Sequence, residues 1–133
     1  MKTQELRIGN YLELQEIIFK VISIDGRDNS IIAESINKEC PSIITEIPKP
    51  IPLTEEWLLK FGFHQQIGFI KFIGEKYTNS FEVAHNSLDK WYCYFRNFNK
   101  GEQDDFVLLR NDLKYVHQLQ NLYFELTGKE LTI

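Results

Sequence analysis

The chain has 133 residues, of which 15 are basic, 19 acidic and 43% hydrophobic, for a formal charge of −4. That length suits one domain whose core forms without metal or disulfide. The acidic balance argues against autonomous binding of DNA or RNA, because neutralising phosphates takes clustered Lys and Arg.

No apolar run approaches the length needed to span a bilayer. The start, Met1-Lys2-Thr3-Gln4-Glu5, is not followed by a secretory leader, so a cytoplasmic protein is expected. Composition divides the chain: 15 of the 16 isoleucines lie at or before Ile73, while 11 of the 18 aromatics lie from Tyr77 onward. Two halves with different core chemistry within one fold are expected.

Gly9-Asn10 is a turn signal that introduces a strand near 11–14. Residues 17–24 are rich in β-branched side chains and read as a second strand. Alternation places Phe19, Val21 and Ser23 on one face, with Ile18, Lys20, Ile22 and Ile24 on the other. Asp25-Gly26 and Asp28-Asn29 supply turn chemistry. Residues 31–36 then pair back, and 43–47 read as a short fourth strand. Short strands with tight turns suggest a small SH3-like sheet over 1–47.

Pro48, Pro50 and Pro52 form an extended connector. It ends at Thr54, an N-cap residue, with Glu55 and Glu56 complementing the positive helix end. Trp57, Leu58 and Phe61 make the apolar stripe, Gly62 stands where a left-handed C-cap belongs, and Phe63 is placed to fold back. Connector and helix fill 48–63. Strands at 69–73, 81–84, 90–97 and 105–110 follow, with turns at Asn86-Ser87 and Lys100-Gly101, so 64–110 read as an antiparallel meander.

The last element, 111–128, is an amphipathic helix from about Asp112 to Thr127, closed by Gly128. Its polar strip is Lys114, His117, Gln118, Asn121 and Glu125. Gln120 falls inside the apolar arc and needs a hydrogen-bond partner there, from the neighbouring sheet or from another protein. The whole is a single α+β domain, 1–133.

No constellation here points to catalysis, a metal or a cofactor. His64, His85 and His117 are far apart, without a ligand spacing, and read as ordinary surface or half-buried residues. Cys40 and Cys93 show no C-x-x-C spacing and read as buried thiols of a reducing compartment. The clusters Asp25/Asp28/Asn29 and Glu102/Asp104/Asp105 lack the calcium-loop ladder and read as solvated turns. Glu82, Asp89 and Lys90 could be arranged as a nuclease centre, but their spacing has no specificity.

The segment from Trp91 to Phe98 is the most distinctive. Alternation turns Trp91, Cys93 and Phe95 toward the core and sets Tyr92, Tyr94 and Arg96 on the other face. Tyrosine and arginine are enriched in binding hot spots. The same row could stack on single-stranded bases. Neighbouring elements could also simply cover it.

Three stretches carry a resemblance: ELRIGNY over 5–11, IPLTEEWLLKFGF over 51–63 and YVHQLQNLYFELTGKEL over 115–131. They resemble a family of small proteins from phages and prophages of Bacteroidetes-type bacteria. The middle of the chain matches only as a strand-rich stretch, and the family brings no catalytic residue to carry over. In lineage, size and fold pattern the chain is also similar to an anti-CRISPR of type VI RNA-guided ribonucleases.

The resemblance implies a non-enzymatic protein of mobile-element origin that binds a host protein, such as a CRISPR effector nuclease or its RNA complex. Tyr92, Tyr94, Arg96 and Gln120 are the candidate partner-binding residues. The alternative is a single-stranded nucleic-acid-binding accessory protein, and homo-oligomerisation is left open. If the capped helix docks on the core as read here, Trp57→Ala costs about 3–5 kcal/mol in denaturant titration; a loss below about 1 kcal/mol would place Trp57 at the surface.

Overall fold

The structure is a computed structural model describing residues 5–28, 30–37, 42–44, 48–73, 79–86, 90–97 and 105–133. Its elements, in chain order, are β1 (Tyr11–Leu14), β2 (Ile17–Asp25), β3 (Ser30–Ser35), β4 (Ser42–Ile44), α1 (Glu55–Lys60), β5 (His64–Gln65), β6 (Phe69–Ile73), β7 (Asn79–His85), β8 (Trp91–Asn97), β9 (Asp105–Leu113) and α2 (Val116–Thr127). Antiparallel sheets with two helices make this an α+β protein. No helix among the described residues is long and apolar enough to cross a membrane. Asn29, Cys40, residues 45–47, Ser87, Asp89, Phe98, the Lys100-Gly101 turn, Glu102 and Asp104 lie outside the described residues.

The chain forms two compact units, one from Met1–Pro52 with Tyr115–Glu130, the other from Leu53–Lys114 with Leu131–Ile133. In the first unit the strands lie in the order β1-β2-β3-β4, each antiparallel to the next. Leu6, Leu12, Val21, Ile31 and Ala33 make its aliphatic core, with Leu14, Phe19 and Ile24 packed against it. Simple alternation fails in β2. The register of β2 against β3 shifts between Val21 and Ser23, so Ile22 is a bulge. Beyond it the faces exchange: Ile24 joins the core and Ser23 turns outward.

The β1–β2 hairpin has no Asn-Gly at its tip. Leu14 pairs with Ile17, and the two residues between, Gln15 and Glu16, have φ of 52° and 66°. A two-residue hairpin demands this left-handed backbone, which costs a residue bearing Cβ roughly 1 kcal/mol.

The second unit has the order β5-β6-β7-β8-β9, again antiparallel throughout. Its core is mostly aromatic. Trp57 and Phe61 of the helical segment have ring centroids 5.5 Å apart, Phe63 meets Phe81 at 6.2 Å, and Phe69 meets Trp91 at 6.2 Å. The expected helix is present with both caps. Thr54 Oγ1 accepts from Trp57 N–H at 3.4 Å. At the other end Gly62, with φ of 81°, donates to Leu59 O, and Phe63 N–H donates to Leu58 O at 3.0 Å, a Schellman motif. Lys71 Nζ adds a bond to Phe61 O at 2.8 Å. Trp57 is buried in this core.

Beyond the β2 bulge, three further features differ from the sequence reading. The pair β5–β6, joined at Gln66–Gly68, was not expected, because two residues are too few for a periodic signal. β9 continues to Leu113, and α2 begins at Val116 rather than near Asp112. Leu113 is buried opposite Trp91 in the sheet, and that burial outweighs the helical pattern. Tyr115 is the extended N-cap, its N–H donating to Gln118 Oε1 at 3.2 Å. His117 is the third: it is fully buried rather than on a polar strip, with Tyr115 stacked on it at 5.8 Å.

Glu16→Gly should stabilise the protein by about 0.5–1 kcal/mol in urea denaturation by relieving one left-handed residue. The same substitution at Glu13, inside β1, should destabilise it.

Candidate functional site

In β7, Phe81 and Val83 point into the core, so the alternate residues Ser80, Glu82 and Ala84 stand on the opposite face. Cross-strand pairing then places Arg96 beside Ser80, Tyr94 beside Glu82 and Tyr92 beside Ala84. On the other side of β7, Ile70 lies beside Glu82. Ile70, Glu82, Ala84, Tyr92, Tyr94 and Arg96, with Gln66, Ile67, Gly68 and His85, line an open cleft of about 430 Å³. A side chain at Gly68 would stand 3.0 Å from Val83 O, so glycine lets the β5–β6 turn close in on β7. Ile67, at the tip of that turn, is fully exposed.

The base of the cleft is a carboxylate network. Glu82 is buried, and its Oε2 accepts from Arg96 Nε at 2.7 Å and from Ser80 Oγ at 2.9 Å. Its Oε1 accepts from Tyr94 O–H at 3.3 Å. A buried carboxylate is tolerated only when paired and hydrogen-bonded, and Glu82 is both. The Arg96 guanidinium also lies over the Tyr94 ring, 5.7 Å from its centroid. The Tyr92 and Tyr94 rings stack at 6.3 Å, and Phe106 meets Tyr94 edge-on at 5.9 Å.

Burial, and then the Glu82 carboxylate, push the Tyr94 phenol above its usual range, so it stays a neutral donor. Burial disfavours the Arg96 charge, but Glu82 and Tyr94 outweigh that and hold it above its ordinary value. The cleft thus has a charge-neutral centre, rigidly held, with aromatic walls and an aliphatic lip.

Three of the four residues singled out from the sequence therefore come together, half-buried, in one cleft. Gln120 is elsewhere, in the first unit, and fully buried. Its Oε1 accepts from Tyr11 N–H at 3.0 Å, and its Nε2 donates to Gly9 O at 3.0 Å. Of the two partners its position demanded, the neighbouring sheet supplies it, so Gln120 is no part of an outer surface. Phe95, read as core, is half-buried.

Glu82 is the residue the sequence reading passes over: it enters there only within an unspecific trio with Asp89 and Lys90 and is not counted among the site residues. Its real signal is local: one acidic residue alternating with Phe81 and Val83. On the core face of the same sheet Cys93 is fully buried, and burial pushes its thiol up to about 12. It is a packed, unreactive group. Among the described residues, no three His, Cys, Asp or Glu side chains gather to hold a metal. Compared with protein-family models, characterised proteins and solved structures, the chain finds no match in any of the three.

Gln120→Leu keeps the volume but strips two backbone groups of their partners, and should cost about 2–4 kcal/mol in equilibrium unfolding. A loss below about 0.5 kcal/mol would show that water reaches Gly9 and Tyr11.

Proposed function

We propose that the chain is a non-enzymatic binding module of mobile-element origin that docks a host protein on the Tyr92–Tyr94–Arg96 cleft. The observation that carries this reading is the cleft itself. Two tyrosines and an arginine, residue types that dominate interface energetics, line one concavity beside a fully exposed isoleucine. The Glu82 network holds Tyr94 and Arg96 in place, so little side-chain entropy is lost on binding.

The phage-like stretches 5–11, 51–63 and 115–131 supply the setting: an anti-defence inhibitor acting in the bacterial cytosol on an RNA-guided ribonuclease. The N-terminal sheet is read as the SH3-like support of this module. Single-stranded nucleic acid is the weaker occupant. Arg96 is the one Lys or Arg among the lining residues, it already pairs with Glu82, and that carboxylate repels phosphate.

The test is type VI interference against an RNA target in a host expressing the chain, followed by titration of the purified effector. Interference should fall, and Tyr92→Ala with Arg96→Ala should weaken effector binding by about 1–3 kcal/mol each. Intact interference with no effector binding overturns the inhibitor reading. Salt-sensitive binding of single-stranded RNA to the chain alone would favour the nucleic-acid alternative.

A further inference from the structure

The second sheet ends on β9, and among the described residues no strand pairs with its outer edge. Open edges invite pairing with another chain, and proteins usually blunt them with bulges and charges. β9 is blunted over one half only. Its register against β8 slips between Trp91 and Cys93 and again between Cys93 and Tyr94, so 109–112 is bulged. The same half carries the Arg110–Asp112 ion pair, at 2.6 Å. The other half is regular, and there Phe106, Val107 and Leu108 are exposed by 66%, 61% and 56%.

We propose that this half of β9 pairs antiparallel with β9 of a second copy of the chain, about a two-fold axis at Val107. The register follows from symmetry. Residues directly opposite in an antiparallel pair share a face, and a two-fold axis normal to the sheet keeps every residue on its own face. Opposed residues must therefore differ by an even number.

With the axis at Val107, Phe106 of each copy meets Leu108 of the other. All three exposed side chains are then covered by one another, and the ladder ends with that pair, because the next residue of β9, Leu109, is at the bulge. An axis at Phe106 would set Val107 against Asp105, and an axis at Leu108 would set Phe106 against Arg110. Of the three registers, only the one about Val107 opposes the exposed residues 106–108 to one another.

The product is a continuous ten-stranded sheet. Because the axis is normal to it, the Tyr92–Tyr94–Arg96 clefts of both copies open on the same side. The contact is short and belongs with transient interfaces, below about 1,200 Å².

Sedimentation velocity of the full chain from about 10 µM to about 1 mM reads it, a range suited to weak association. The wild-type chain should move toward the dimer as concentration rises. Val107→Lys sets two ammonium groups against each other across the axis, and should weaken association about tenfold or more, as should Val107→Asp. An equimolar mixture of these two variants should regain the dimer, since only a residue on the axis opposes itself. Circular dichroism and thermal melts confirm that each variant is folded. A wild-type chain that stays monomeric throughout overturns the proposal. So does association that survives Val107→Lys, or a mixture that stays monomeric. None of these outcomes depends on what the cleft binds.

Discussion

A helix that buries a glutamine amide docks only where a backbone donor and a backbone acceptor wait at the right spacing. Gln120 finds both on the segment that enters β1: Tyr11 N–H and Gly9 C=O, each at 3.0 Å. The neighbouring contacts follow the same seam. Asn10 Nδ2 donates to Asn121 Oδ1 at 2.9 Å, Asn121 Nδ2 donates to Glu5 O at 2.8 Å, and Arg7 pairs with Glu130 at 2.8 Å while lying over the Phe124 ring. An unmade bond at the buried Gln120 amide, Tyr11 N–H or Gly9 C=O costs more than the made bond returns, so this pair of bonds specifies one docking register for α2. The chain must leave this unit after Pro52 and return at Tyr115, and everything between is free to build a second sheet.

The seam also gives physical content to the stretches 5–11, 51–63 and 115–131. Residues 5–11 and 115–130 touch one another within the first unit, and 51–63 carry the capped helix and its Schellman ending. Their side chains serve folding: turn, cap, amide pair, ion pair. The cleft residues lie in the intervening segment.

Legibility followed the range of the physics. β1 and β6 stand where the sequence placed them, and α1 does so with both caps, because turn residues, β-branched runs and caps act over a few residues. The Ile22 bulge was not legible, since it arises from pairing with β3 rather than from β2 itself. The Gln15–Glu16 hairpin lacks the glycine or asparagine that would have announced it. Leu113 fits a helix as well as a strand, and the choice is made by Trp91 opposite it. At the site, alternation alone set Tyr92, Tyr94 and Arg96 on one face. The residue that unites them, Glu82, sits 12 positions before Tyr94 and 14 before Arg96, so its place in β7 had a local signal but its partners did not.

The order of residues by itself therefore determined an α+β chain with an isoleucine-rich beginning, a capped short helix, an aromatic meander and an apolar last helix. It also determined that Gln120 would need a partner. Tertiary structure alone decided that this partner is the backbone of Gly9 and Tyr11, that α2 belongs to the first of the two compact units, and that a buried carboxylate fastens Tyr94 and Arg96 into a cleft. The reason is the same in each case. Caps, turns and alternation are short-range effects written in neighbouring residues, whereas the satisfaction of a buried polar group depends on which distant strand arrives beside it.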